Sequence, residues 1–172
     1  GADPLEFNHQ EIQMVKRPLA KFPSELRFDL VSQDWVVIAT GRSRRPEAFK
    51  KEEREEIGMA EKNCPFCQIE TQEKPILVYK NGKRVVGQKI VPGWTTILIP
   101  NKYPAFLPQP RLEETIEGGL YQRMNAVGYH ELVITRDHQK PWALLPLANV
   151  REALTVYQER YQQLMKNDFV SY

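Results

Sequence analysis

Two cysteines, three positions apart, place the strongest constraint on how this chain folds. Cys64 and Cys67 are the only cysteines among 172 residues, in the order Cys-Pro-Phe-Cys. Two thiolates on one tight turn supply half of a tetrahedral zinc site, and an imidazole from a distant loop can supply a third ligand. His138 lies far downstream in a turn-like stretch, and we expect it to be that ligand. The site would then tie the middle of the chain to its later part.

The overall composition predicts one soluble, compact domain. Hydrophobic residues make up 41% of the chain, enough for a core. The chain contains no run of about 20 apolar residues, the length needed to cross a bilayer. Lys and Arg number 24 against 22 for Asp and Glu, a balance that argues against nucleic-acid binding. Residues 1–23 are interpreted as a tail that can include a cloning scar, because Gly1 is not an encoded start. They contain no apolar segment of a secretory signal, so we expect a cytoplasmic protein.

The cysteine pair is also compatible with a glutaredoxin-like redox site. Such a site follows a buried strand and opens an amphipathic helix. Here the motif follows a highly charged run, residues 42–63, and precedes residues 68–75, which have no apolar stripe. This context favours zinc over redox chemistry or unliganded core cysteines. His130 competes as the third ligand, although a hydrogen-bonded structural role at a strand start suits it better.

Short extended runs separated by turns predict a mainly antiparallel sheet. Asn81-Gly82 is the strongest hairpin signal, because both positions tolerate positive φ. The last predicted strand leads into the His138 turn and is expected to lie in the centre of the sheet. The predicted strands cover residues 25–29, 35–39, 76–79, 83–86, 94–99 and 130–135, with the first two forming a hairpin.

The rest of the chain predicts one long loop and one long helix. Pro100 should end pairing, and the proline-rich segment that follows should be a surface excursion with a mobile region at residues 117–119. Asn149 with Glu152 resembles a capping box, and apolar residues then recur at helical spacing as far as Met165. Strands followed by one C-terminal helix predict an α+β fold.

Three arginines follow the second predicted strand directly. The segment Gly41-Arg42-Ser43-Arg44-Arg45-Pro46 presents guanidinium forks that can bind phosphate oxygens in pairs of hydrogen bonds. A solvated basic turn is the alternative, and the segment alone does not decide between them.

Taken in order, these segments resemble the N-terminal half of the galactose-1-phosphate uridylyltransferase family, part of the histidine-triad superfamily. The resemblance extends over roughly residues 24–172 and implies a histidine-triad-like half domain. The order of the blocks is far more specific than any one of them. The blocks are residues 25–29, 34–39, 41–46, 64–67, 99–105 and 128–134, ahead of Asp137-His138.

The resemblance implies transfer of UMP from UDP-glucose to a hexose 1-phosphate in galactose metabolism, through a covalent uridylyl-histidine. The substrates would be a nucleotide sugar and a hexose 1-phosphate, and the family commonly dimerises. ADP-glucose and dinucleoside-polyphosphate phosphorylases of the same superfamily are alternatives. By matched position, Arg42 and Arg45 would hold the diphosphate, Asn101 would contact the nucleotide, and Cys64, Cys67 and His138 would bind a largely structural zinc.

One element of the family pattern is missing. The His-Pro-His segment, which carries the nucleophile and the expected fourth zinc ligand, should follow a strand that begins at Phe169, and the chain has no His-x-His sequence. We therefore interpret residues 24–172 as an N-terminal uridylyltransferase-like domain that stops before the catalytic segment, with no catalytic residue of its own. A zinc-stabilised nucleotide-binding module without catalysis is the competing interpretation.

Overall fold

The structure is a computed structural model that describes residues 24–44, 64–138 and 140–166. Its strands pair antiparallel in two sheets, and one long helix follows them. The predicted α+β fold, mainly antiparallel with one long C-terminal helix, is confirmed. The elements are β1 (Glu25–Phe28), β2 (Trp35–Ile38), β3 (Leu77–Lys80), β4 (Lys83–Arg84), β5 (Thr96–Pro100), β6 (Glu114–Glu117), β7 (Tyr121–Asn125), β8 (Glu131–Thr135) and α1 (Leu147–Leu164).

The two sheets have four strands each within the described ranges. The first has the order β2-β1-β7-β6, and the second has the order β4-β3-β5-β8. The hairpin predicted from residues 25–39 is confirmed as β1 and β2, with Leu26 opposite Val37. The second sheet is the more deeply buried one, and α1 packs on β5 and β8.

The second sheet is covered on both faces. Successive side chains of a strand point to opposite faces, and here both sets are apolar. Side chains at alternate positions face α1 and pack around Val156, which is fully buried. The intervening side chains pack against the loops on the other face. The first set is Leu77, Tyr79 and Leu98; the second is Val78, Ile97, Ile99 and Ile134, with Ile69 and Trp94.

Turn chemistry explains two of the hairpins. Asn81 and Gly82 have φ of 50° and 76°, so the hairpin predicted between β3 and β4 is confirmed. Gly118 and Gly119 have φ of 61° and 75° and join β6 to β7. Residues 117–119, predicted to be mobile, thus belong to a hairpin, and their mobility stays a prediction. The β6 strand escaped prediction because its four residues are all exposed and carry no apolar alternation.

Two predictions about β5 and β8 also need correction. Pro100 does not end pairing: it is the last residue of β5 and lies opposite Glu131, since proline lacks only the donor and a strand end tolerates that loss. The β8 strand is not central. Among the described residues it pairs with β5 alone and is an edge strand of the second sheet. Its apolar residues are explained by burial under α1.

The predicted capping box is wrong. The α1 helix begins at Leu147, directly after Pro146, and no side chain caps it. Glu152 is buried instead and accepts hydrogen bonds from the Thr95 and Thr96 hydroxyls and from the Gly82 N–H. A buried carboxylate requires such donors. Glu152 therefore fastens the first half of α1 to the second sheet.

No helix in the described ranges combines the length and the apolar character needed to cross a bilayer. The strand predicted at Phe169 lies outside the described residues.

Candidate functional site

The two cysteines lie on a tight turn that is anchored in the core. The Gln68 N–H donates to the Cys64 carbonyl at 3.2 Å, and a short 3-10 helix, Ile69–Thr71, follows. Ile69 is almost fully buried, so the turn cannot move independently of the core. Cys64 is buried and Cys67 is half-buried, and neither forms a disulfide.

His138 meets this turn from the far end of β8. Its Nε2 atom lies 3.2 Å from Cys64 Sγ and 3.5 Å from Cys67 Sγ, and the three ligand atoms lie within 4.8 Å of one another. Zinc bonds of about 2.3 Å to sulfur and 2.0 Å to nitrogen, at tetrahedral angles, place S and N about 3.5 Å apart. The three residues can therefore hold a metal ion, and the structure brings His138, not His130, to the cysteines.

The His138 ring is oriented by packing. Phe66 meets it edge to face, with ring centroids 5.8 Å apart. The other ring nitrogen, Nδ1, is buried and has no hydrogen-bond partner within the described part of the chain. Metal-bound histidines commonly donate this second N–H to an oxygen. Here the aromatic contact does the orienting.

The local structure disfavours the redox alternative. A glutaredoxin-like thiolate is stabilised by the N-terminus of an amphipathic helix. The motif is followed instead by the three-residue 3-10 helix, Ile69–Thr71. Two sulfurs facing an imidazole are typical of a metal site.

A second polar group lies at the other end of β8, and we call it the Asn101–His130 corner. It consists of Asn101, directly after β5, His130, directly before β8, and the loop residues Tyr103 and Ala105. The Asn101 N–H donates to the His130 carbonyl at 2.9 Å, which continues the β5–β8 pairing by one residue. Asn101 Nδ2 lies 3.0 Å from His130 Nε2, and Asn101 Oδ1 accepts the Tyr103 N–H at 2.9 Å. The strand register therefore places both side chains together.

The His130 ring lies in a partly buried, positively charged environment. Its Nδ1 atom accepts the Ala105 N–H at 3.0 Å. Burial lowers the pKa of His130, and the charge of Arg42 lowers it further. Arg42 itself is exposed, in a 3-10 helix at Thr40–Arg44. The Arg42 charge thus acts on the Asn101–His130 corner.

The remaining predicted site residue cannot be placed, since Arg45 lies outside the described residues. Sequence reasoning kept His130 as a competing metal ligand and favoured a hydrogen-bonded structural role for it. Pairing residues 99–105 with residues 128–134 would have placed Asn101 beside His130. That pairing could not be read from the sequence, because the register of two distant strands is not visible in either segment alone.

The metal group and the Asn101–His130 corner are well separated. The five residues of β8 span about 17 Å, and the two histidines flank them on opposite sides. A metal ion at Cys64, Cys67 and His138 would thus lie far from Asn101.

Comparison with known proteins gives two distant relatives. The chain is 27% identical over 150 residues to the ADP-glucose phosphorylase of Arabidopsis thaliana and 23% identical over 149 residues to the galactose-1-phosphate uridylyltransferase of Thermotoga maritima. Each match covers 86% of this chain, but 41% and 38% of the relatives, so the chain spans about two fifths of their length.

No family model matches the chain, and no solved structure matches it. The two relatives, one a phosphorylase and one a uridylyltransferase, support a place for this chain in the galactose-1-phosphate uridylyltransferase and histidine-triad-like family, without singling out one member.

Proposed function

We propose that this chain is the N-terminal part of a nucleotidyltransferase that moves UMP from UDP-glucose to galactose 1-phosphate. The observation that carries the proposal is the Asn101–His130 corner under the charge of Arg42, in a chain related to two enzymes of this kind. Amide and ring N–H groups beside a guanidinium favour a phosphorylated ligand. The two relatives carry names for sugar-phosphate chemistry.

In this proposal the chain binds and orients the nucleotide. Arg42, with Arg45, would neutralise charge that builds on the phosphoryl oxygens, and Asn101 would contact the nucleotide. The nucleophile would be a histidine that is not among these 172 residues. It would attack the α-phosphorus of UDP-glucose and release glucose 1-phosphate, after which galactose 1-phosphate would take the uridylyl group.

Zinc is the metal we propose for Cys64, Cys67 and His138. Two thiolates and an imidazole are a donor set that suits zinc better than magnesium or calcium, which prefer oxygen. Bound zinc would pin the cysteine turn to the carboxyl end of β8. Because this end is remote from the Asn101–His130 corner, the role is structural.

The test is an assay of the full-length protein with UDP-glucose and galactose 1-phosphate. We expect UDP-galactose and glucose 1-phosphate as products. An Arg42→Met variant should lower kcat/KM on the order of 100-fold, because it removes charge stabilisation in the transition state. Arg111→Met is the matched control, an exposed arginine elsewhere on the surface, and should be nearly silent. Absence of turnover with any nucleoside diphosphate sugar would reject the proposal.

A second candidate is an ADP-glucose phosphorylase, favoured by the 27% identity to the Arabidopsis protein of that name. The same preparation, given ADP-glucose and inorganic phosphate, would then form ADP and glucose 1-phosphate. The ratio of kcat/KM for the two donors decides between the candidates. Nucleotide binding without turnover of either donor would favour the non-catalytic module.

A further inference from the structure

The first sheet has a mainly apolar face that stays largely exposed in the described part of the chain. Cross-strand partners lie on the same face of a sheet, and Leu26 is paired with both Val37 and Met124. Trp35 is 37% exposed, Val37 38% and Ile116 62%. Neither buried core cluster of the described residues contains a residue of this sheet. We call this surface the apolar face; apart from Glu114 and Gln122 it consists of Leu26, Phe28, Trp35, Val37, Ile116 and Met124.

The opposite face carries most of the charges of the sheet, and they are already paired. Arg123 reaches Glu117 at 2.9 Å and Glu25 at 3.5 Å. Glu25 also pairs with Arg27 at 2.7 Å. An antiparallel sheet commonly packs one face on a core and leaves the other to water, and contiguous exposed apolar patches mark contact sites. The charged face suits water, so the apolar face is the one that needs an occupant.

We propose that residues 12–22 of this chain pack on the apolar face. The segment leads through Ser24 into β1, an inner strand of the sheet. Ser24 is buried, and its carbonyl accepts the Ala126 N–H at 3.1 Å, so the segment is tethered at a fixed point. It spans about 16 Å as a helix and up to about 36 Å when extended, and four strands are about 14 Å wide. Either length is sufficient to cross the face.

Composition favours this segment over the other one that adjoins the sheet. Residues 45–63, which follow the first hairpin, are mostly charged. Burying them on an apolar surface would be costly. Large apolar side chains are frequent in residues 12–22, namely Ile12, Met14, Val15, Leu19 and Phe22.

Charge favours the same segment. Residues 12–22 carry Lys16, Arg17 and Lys21 and no acidic residue. The apolar face is bordered at the start of β6 by Glu113 and Glu114, both exposed. Opposite charges attract at this range. A tethered segment also has a high effective concentration, which a separate chain lacks.

The first experiment compares two valines that are neighbours in β2 and lie on opposite faces, in the full-length protein. Val37 lies on the apolar face, and Val36, 47% exposed, lies on the other face opposite Arg27. Val37→Glu should lower the melting temperature on the order of 2–4 °C, because it places a charge beneath the segment. Val36→Glu is the matched control and should be nearly neutral, since its carboxylate faces Arg27.

Removing the segment should remove this difference. In a full-length protein shortened to begin at Pro23, Val37→Glu should lower the melting temperature by less than about 1 °C. A protein shortened to begin at Ile12 should respond to Val37→Glu as the wild type does. Together the two truncations confine the contact to residues 12–22.

Trypsin reports on the segment directly and needs no truncation. Cleavage after Lys21 requires the segment to leave the face, so its rate follows the population of the detached form. Cleavage should be slow in the wild type, at least about tenfold faster in Val37→Glu, and unchanged in Val36→Glu.

Three results would overturn the proposal, and none involves turnover, so the proposed function is tested separately. Wild-type protein cleaved after Lys21 as fast as a free peptide would show that the segment does not pack. No effect of Val37→Glu in either measurement would show that the face needs no occupant. An effect that persists without the segment would show another occupant. Sedimentation then identifies it: concentration-dependent association indicates a second copy, and a monomer indicates another part of the full-length protein.

Discussion

The two ends of β8 use the same side chain in opposite ways. Beyond the carboxyl end, His138 faces two sulfurs through Nε2, and its Nδ1 has no hydrogen-bond partner within the described ranges. Before the amino end, both nitrogens of His130 face N–H groups. Thiolates attract a cation, whereas N–H groups attract an acceptor or an anion. The neighbours of an imidazole, rather than its place beside a strand, thus decide its chemistry.

The two ends also differ in how they are held. The cysteine turn is fastened by the buried Ile69 side chain, so its geometry is set by core packing. The Asn101–His130 corner is held by backbone hydrogen bonds between a loop and a strand end. A change at one end should leave the other intact, and the zinc content of variants near each end tests this independence.

The largest effect is expected from Cys64→Ser. Losing one of three ligands should remove the proposed zinc, expected at about one ion per chain in the wild type, and lower the free energy of unfolding by several kcal/mol. Metal analysis and urea denaturation measure both quantities. His130→Asn serves as the control and should retain its zinc. A Cys64→Ser protein with normal metal content would disprove the assignment of this end.

The ion pair between Arg160 and Glu131 fastens α1 to the start of β8. Two N–H groups of Arg160 reach the Glu131 carboxylate at 2.8 and 2.6 Å, and both side chains are largely buried. Arg160→Met leaves the carboxylate poorly solvated and should cost about 1–3 kcal/mol, with zinc retained. Adding Glu131→Gln should restore part of the loss. Full additivity in this double-mutant cycle would show that the pair does not contribute as a unit.

Tyr79 lies in β3, separated from β8 by β5, and belongs to neither the metal group nor the Asn101–His130 corner. Its hydroxyl donates to Glu159, and burial, aided by that carboxylate, raises its pKa to about 12. Since an unfolded tyrosine titrates near pH 10, the folded state disfavours ionisation. Its contribution to stability is complete below about pH 10 and is lost as the pH rises to about 12. Tyr79→Phe should cost about 1 kcal/mol at neutral pH and abolish this alkaline loss.

The smallest effect concerns His130 in acid. Its pKa is lowered in the folded state, so the unfolded chain binds the proton more readily. The stabilising effect is present above the unfolded pKa, about 6.5, and is lost as the pH falls through the lower folded value. The decline in melting temperature below that pH should be shallower in His130→Asn. Identical acid profiles would show that His130 does not titrate differently on folding.

Local signals were sufficient for part of the fold. Asn81-Gly82 specified its hairpin because positive φ is a property of those two residues. The β6–β7 hairpin was missed because β6 is fully exposed and neither strand has an alternating apolar pattern. Glu152 was assigned to a helix cap from its spacing to Asn149. Its true partners, Thr95 and Thr96, lie more than fifty positions away, so no local pattern indicates them.

Part of the candidate site was likewise predictable from the sequence, and part was not. The cysteine spacing, together with the charged residues before it and the lack of an apolar stripe after it, predicted a metal turn. His138 was chosen over His130 by the context of each residue, and the structure brings His138 to the sulfurs. The pairing of Asn101 with His130 could not be foreseen, because both residues lie just outside strands whose register is long-range.

The order of residues specifies which chemical groups this protein can present: two thiolates on a turn, guanidinium groups after a strand, and an amide at a strand end. Which of these groups meet depends on how the strands pair. The register of β5 and β8 sets Thr96 opposite Thr135 and Pro100 opposite Glu131, so one histidine reaches the sulfurs and the other reaches Asn101. The physical reason is that strand register is selected by burial of a whole face against α1 and the core, a property of the assembled sheet that no short segment contains.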